Sequence, residues 1–184
     1  MKGTGKVKKL FDYVVAIAII AFLYLLFFPV SVPINKTIPA VEISIGDKSY
    51  CKPLNIIISG TYHWRLFFTD TFTGNIQFDI YEMTMEQTLE QTRNIPALTL
   101  QDGVDTLDYG EWMSAKLFGY ISCKPFFRKI VVQVCEPDPS GRGGSWNTVD
   151  GRCIVAKATS REEALKIIKS FSNYKLPPYE YWLR

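Results

Sequence analysis

The sequence predicts a mainly β (α+β) chain: an N-terminal transmembrane helix, then an antiparallel β-sandwich or partly open barrel with one C-terminal helix. Three observations predict it. From Tyr13 to Asn35 no ionisable side chain other than tyrosine interrupts an apolar run. Between Val41 and Thr159, short segments alternate apolar with polar residues and are separated by Gly, Asp and Pro turns. Ser160-Arg161-Glu162-Glu163 then reads as a capping box, followed by Ala164, Leu165, Ile168 and Phe171 at helical spacing.

Residues 1–9 form a basic tail with Lys2, Lys6, Lys8 and Lys9. Residues 10–30 follow as the span, since a membrane crossing needs about 20 mostly apolar residues. Lysines before the span and none just after it predict a cytoplasmic N-terminus and an extracytoplasmic C-terminal domain at the cell membrane. A cleaved signal peptide is the competing reading. Pro29-Val30-Ser31-Val32-Pro33 offers a poor small-x-small cleavage context, which favours an uncleaved signal anchor. Residues 31–40, with Pro33 and Pro39, read as an extended stalk, because proline lacks the N–H that a helix or a central strand needs. Asn35-Lys36-Thr37 matches a glycosylation sequon.

Residues 41–184 read as one β-rich domain with a helix at about 161–172. Val41–Ile45, Asn55–Tyr62 and Asn75–Glu82 read as strands. Arg65-Leu66-Phe67-Phe68 is a third short apolar segment before the turn Thr69–Gly74. Met83–Asn94 is polar and ambiguous between loop and helix. Ile95–Leu100, Glu111–Ser122, Phe126–Cys135 and Gly151–Thr159 complete the strands, with Ile130-Val131-Val132-Gln133-Val134 rich in β-branched residues.

Charge argues against one class of function. The chain holds 21 Lys and Arg and 18 Asp and Glu; four lysines and Asp12 precede the outer domain, leaving 17 of each in it. A neutral domain gives no electrostatic case for nucleic acid or anionic lipid. Its charges are segregated, with an acidic stretch from Asp70 to Glu111 and a basic later half. Complementary packing of the two halves is the plain reading, and an acidic patch for a cationic partner is the sharper one.

The four cysteines, Cys51, Cys123, Cys135 and Cys153, allow three pairings outside the cytoplasm. Cys135 and Cys153 flank a Gly/Pro-rich loop and are candidates for one disulfide, which leaves Cys51 with Cys123. Free buried thiols are the alternative, and zinc is disfavoured by the missing C-x-x-C spacing.

His63 is the only histidine and so the only base for a Cys-His or Ser-His enzyme. Asp70 is the nearest acid to serve it. Asp102, Asp105, Asp108 and Glu111 recur every third residue without the spacing of a calcium loop. Gly141-Arg142-Gly143-Gly144-Ser145 lacks the lysine and helix of a phosphate loop, so a surface hairpin is expected. Tyr62, Trp64, Phe67, Phe68 and Phe72 form an aromatic cluster assigned to the core. Tyr174, Tyr179, Tyr181 and Trp182 form a second in the tail, where Tyr179, Tyr181 and Trp182 are candidate interaction residues.

Gly60-x-Tyr62-x-x-x-Leu66-Phe67-x-x-Asp70-x-Phe72-x-Gly74-x-Ile76, ending near Tyr81, resembles a segment of uncharacterised small membrane-anchored proteins of low-GC Gram-positive bacteria. The resemblance implies an envelope location and no catalytic activity. The sequence therefore points to a non-catalytic binding or accessory module of the envelope, held by residues 10–30 and with a protein partner there. It needs no cofactor and no metal. The alternative is an envelope hydrolase or metal-dependent enzyme using His63 with nearby carboxylates.

Overall fold

The computed structural model describes residues 4–89, 97–100, 102–111, 114–137, 144–147 and 149–171, with side chains from residue 9 onward and excluding Pro137. It is mainly β, as the alternation predicts. Helix α1 (Thr4–Phe27) leads into β1 (Val30–Ser44), β2 (Cys51–Trp64) and β3 (Asp70–Phe78). A one-turn helix α2 (Glu82–Glu86) precedes β4 (Leu98–Leu100), β5 (Val104–Tyr109) and β6 (Lys116–Cys123). After a 3-10 turn at Pro125–Phe127 come β7 (Ile130–Val134), the small hairpin β8 (Glu136–Pro137) and β9 (Gly144–Ser145), then β10 (Arg152–Ala156) and α3 (Arg161–Lys169).

Eight strands form one antiparallel sheet in the order β4-β3-β2-β1-β10-β7-β6-β5. Read as a ring, each strand neighbours its successor once the β8–β9 hairpin is set aside, and the last strand pairs with the first. The sheet curls into a nearly closed barrel whose seam lies between β4 and β5. No ladder joins them there. The Thr99 N–H donates to the Asp105 carboxylate, and Gly110 N–H donates to the Thr88 carbonyl at 3.0 Å beside an isolated Leu89–Tyr109 bridge.

Strand parity explains the core. Ile34, Ile38 and Ala40 of β1 face the barrel interior with Leu54, Ile56, Ile58, Phe72, Ile76, Leu107, Phe118, Ile121, Val132 and Ile154. Val41 and Ile43 face outward, where Val131, Cys153 and Val155 meet Ala164, Ile168 and Phe171. β7 is buried along its whole length: Ile130, Val132 and Val134 face the interior, and Val131 joins the outer cluster with Cys153, Val155 and α3. This accounts for the unbroken Ile130-Val131-Val132 run, since a strand covered on both faces has no wet side.

α3 begins as its capping box predicts. Ser160 Oγ accepts from the Glu163 N–H at 3.3 Å, and the Glu163 carboxylate reaches back to the Thr159 N–H at 2.8 Å. Arg161 ties the helix start to the β1–β2 turn through the carbonyls of Ser44 and Asp47. The helix ends at Lys169, three residues short of the predicted end.

Residues 31–40, expected to be a stalk, are instead part of β1, paired with β2 from Val30↔Trp64 to Ile43↔Cys51. The prolines fit because of where their missing N–H would point. Pro39 O accepts from Lys157 N at 2.7 Å, on the edge away from β2, where β10 has just ended. Pro33 shares that parity, so neither proline removes a ladder bond, and both discourage edge pairing.

The Arg65–Phe68 segment is a further correction. It is the β2–β3 loop rather than a strand, and Phe67 and Phe68 are 67% and 64% exposed, not core. The stretch from Asp102 to Glu111, where the sequence predicts no strand, contains β5, whose alternate residues Leu107 and Tyr109 are buried.

The cysteines carry no disulfide; all four are free, Cys51 exposed and the others buried. Register explains both missing bonds. Cys153 lies opposite Gln133, so Cys135 is its diagonal neighbour two residues along β7's continuation, and diagonal positions sit about 7–8 Å apart. Cys51 pairs with outward-facing Ile43, while Cys123 points into the barrel.

Candidate functional site

The two ends of the barrel differ. The end away from α1 is filled by a polar plug. Glu42, at an interior position of β1 and 1% exposed, accepts from Tyr50 OH at 2.8 Å and from Tyr81 OH, with Arg152 Nη1 4.0 Å away. Burial pushes both tyrosine hydroxyls above their usual range, and the Glu42 charge adds to it.

The α1-proximal end opens as a cup of about 930 Å³. Three connections build its wall: Trp64 and the 65–69 loop between β2 and β3, the Leu100–Gly103 turn between β4 and β5, and Cys123–Pro125 after β6. Its place is fixed by the chain. Two residues separate α1 from β1, and Val30 lies opposite Trp64. A smaller cavity of about 180 Å³ is bounded by Leu25, Leu26, Phe27 and Phe28 on one side and by Arg65 and Phe68 on the other.

Tyr62 of the cup lining packs on an aromatic turn beneath it. Phe126 and Phe127 both adopt positive φ, 58° and 53°, a left-handed conformation costly for bulky residues. Burial offsets that cost. Phe127 is fully buried, edge-on to Tyr62 and Phe72 at centroid distances of 5.6 and 5.0 Å, and Phe126 lies 4.8 Å from Tyr62. Pro125 starts this turn where its absent N–H costs nothing. Lys36, at an interior position of β1, donates to the carbonyls of Phe126 and Phe127. Burial, and then the nearby Lys157 charge, lower its pKa from 10.5.

Polar groups stand in the cup wall and behind it. Tyr62 OH donates to Asp70 Oδ2 at 2.6 Å, and the Arg65 N–H donates to Oδ1 at 3.0 Å. Burial and the Asp70 carboxylate push the Tyr62 hydroxyl far above its usual range. Asp105 takes the Thr99 and Thr106 N–H groups, and burial raises its pKa above 3.8. Cys123 is pushed up to about 12, first by burial and then by the charges of Asp70 and Asp105. A thiol in that state is a poor nucleophile. Arg65 and Lys124 bring positive charge to the rim, and Lys124 Nζ lies 5.2 Å from the Phe171 ring. The arrangement offers aromatic faces, fixed carboxylates and cations to a ligand, and no activated nucleophile among the described residues of the cup.

His63 stands elsewhere. It faces outward on β2, with Nδ1 2.9 Å from Ser31 Oγ. Asp70 has interior parity and is held by Tyr62, so the two lie on opposite faces of the sheet. The acidic set also disperses: Asp105 caps backbone N–H groups, Asp108 accepts from the Thr106 hydroxyl at 2.6 Å, and Asp102 lines the cup. Among the described residues no group of three or more His, Cys, Asp or Glu is placed to hold a metal ion. Tyr179, Tyr181 and Trp182 lie outside the described residues, as do residues 141–143 of the Gly-rich loop.

Sequence reasoning missed Lys36, Glu42, Leu100 and the Phe126-Phe127 turn. One signal was readable: Lys36 stands between Ile34 and Ile38 at period two, and Glu42 continues that same parity, so both are charges on the apolar face of a strand. Compared with family models, curated proteins and solved structures, the chain matches none, so its site is read from geometry alone.

Proposed function

We propose that this chain is a single-pass membrane-anchored protein of the cell envelope, and that its barrel is a non-catalytic, extracytoplasmic binding module. Lys9–Phe27 is a helix of 19 residues, long and apolar enough to cross a bilayer, and its side chains are uncovered by the rest of the chain. The lysines ahead of it support a cytoplasmic N-terminus. The envelope assignment also draws on the resemblance to membrane-anchored proteins of low-GC Gram-positive bacteria.

The observation that carries the binding reading is the cup. Its volume, about 930 Å³, is that of a small-molecule or side-chain-cluster site, and its wall mixes aromatic rings with charged and polar groups. Elsewhere the barrel interior is occupied by its own side chains. The ligand is therefore received at the α1-proximal mouth, against Trp64 and Leu100, with Lys124 and Asp70 fixing its orientation.

A photoreactive amino acid placed at Trp64 of the full chain in its native membrane tests this. A discrete adduct at Trp64, absent when the probe is moved to Lys48 in the distal turn, is the expected result. Identical adduct patterns at both positions, or none at Trp64, would remove the cup as the binding site.

A further inference from the structure

Phe67 and Phe68 are adjacent, mostly exposed phenyl rings on a five-residue loop, an apolar surface that a domain in water has no reason to display. Their position supplies the reason. Phe68 and Arg65 share a cavity with Leu25, Leu26, Phe27 and Phe28. Phe68 therefore lies at the level of the last turn of α1. Whatever medium surrounds Leu25 and Leu26 also meets Phe68.

We propose that the β2–β3 loop is a second membrane contact, with Phe67 and Phe68 seated in the interfacial layer of the leaflet from which α1 emerges. The contact follows the chemistry of interfacial anchoring: apolar rings enter the acyl boundary while a neighbouring long cationic side chain, here Arg65, extends its guanidinium to the phosphates. The outer domain has no net charge, so the contact is driven by aromatic burial and forms on zwitterionic lipid. With α1 and the loop both engaged, the barrel is held by two points around its mouth. The cup then opens onto the bilayer surface rather than onto bulk solvent.

This rests on α1 crossing the bilayer and is independent of whether the cup holds a ligand. Cys51 is the one exposed cysteine and lies at the far end of β2, 14 residues long. It is an internal reference for aqueous exposure. The full chain is reconstituted in phosphatidylcholine vesicles and spin-labelled at Cys51, or in a Cys51→Ser background at Phe67→Cys, Phe68→Cys or Ile20→Cys. Collision with oxygen and with a water-soluble nickel chelate, present on both sides, is then measured. Labels at 67 and 68 are expected to show severalfold lower nickel accessibility than Cys51 and raised oxygen accessibility, approaching Ile20. Labels at 67 and 68 as open to nickel as Cys51, with Ile20 in lipid, overturn the proposal. An Ile20 label in water overturns the anchor itself.

Discussion

Lys36 Nζ lies 2.8 Å from the carbonyl oxygen of Phe126, 90 residues away, and joins the first strand to the turn packed against Tyr62. Without it the carbonyls of Phe126 and Phe127 lose a charged donor. Lys36→Met is expected to cost about 1–3 kcal/mol, read as a shifted urea midpoint of the full chain in detergent micelles. Lys52→Met, on the exposed start of β2, should leave the midpoint in place. Lys36 also carries a pH signature. Its folded pKa is below the ordinary 10.5, so between those two values the unfolded chain binds more protons, and this group's contribution to stability rises with pH. Lys36→Met should remove that part of the slope.

Asp105 has the opposite sign. Its folded pKa is raised above 3.8, so its contribution is fully present below pH 3.8 and is lost as pH rises through the folded value. Melting temperatures of wild type and Asp105→Asn, followed across that interval, should diverge in slope, with the variant the flatter. Parallel curves would show that the carboxylate at the β4–β5 seam is solvated in both states.

Thiol chemistry should separate the cysteines by burial. In the folded chain at neutral pH one thiol, Cys51, should react rapidly with iodoacetamide. Cys123 and Cys135, pushed up to about 12 and about 11 by burial, and fully buried Cys153 should react after unfolding. Peptide mass spectrometry reads the order. Fast modification of Cys123 would mean that the cup wall opens.

Gly60 and Gly74 are directly opposed on β2 and β3. A Cβ on either would lie 2.3 Å from the opposing strand's backbone oxygen and within 2.9 Å of the Phe72 ring. The missing side chains let that ring lie across the strand pair. Gly60→Ala is expected to destabilise by about 1–3 kcal/mol through overpacking, and the double change with Gly74→Ala should be non-additive, measured by denaturant titration.

The β class, the N-terminal helix, most strands and the start of α3 were legible because each rests on local periodicity or capping. β1 was not. Its prolines and Lys36 resemble a spacer until a partner strand shows which edge the prolines face and which carbonyls the lysine meets. Phe67 and Phe68 misled in the other direction, since apolar residues are assigned to a core unless something else covers them. The cup was invisible because its walls come from three connections far apart in sequence, joined by barrel closure. The disulfide expectation failed on strand register for Cys135 and Cys153 and on strand parity for Cys51 and Cys123, neither of which Cys spacing alone encodes.

Helix α1 and the longest strand are nearly one run of chain. β1 is held along 14 registered positions by β2 and over its last five by β10. Force transmitted through α1 acts along β1, at right angles to its ladder hydrogen bonds. The ladder is then loaded in shear, all its bonds sharing the strain at once instead of peeling singly. A tether joined to a short edge strand would unzip from its end. Here the mechanical strength of the attachment is set by the strand pair whose second member carries Tyr62 and Trp64 into the cup.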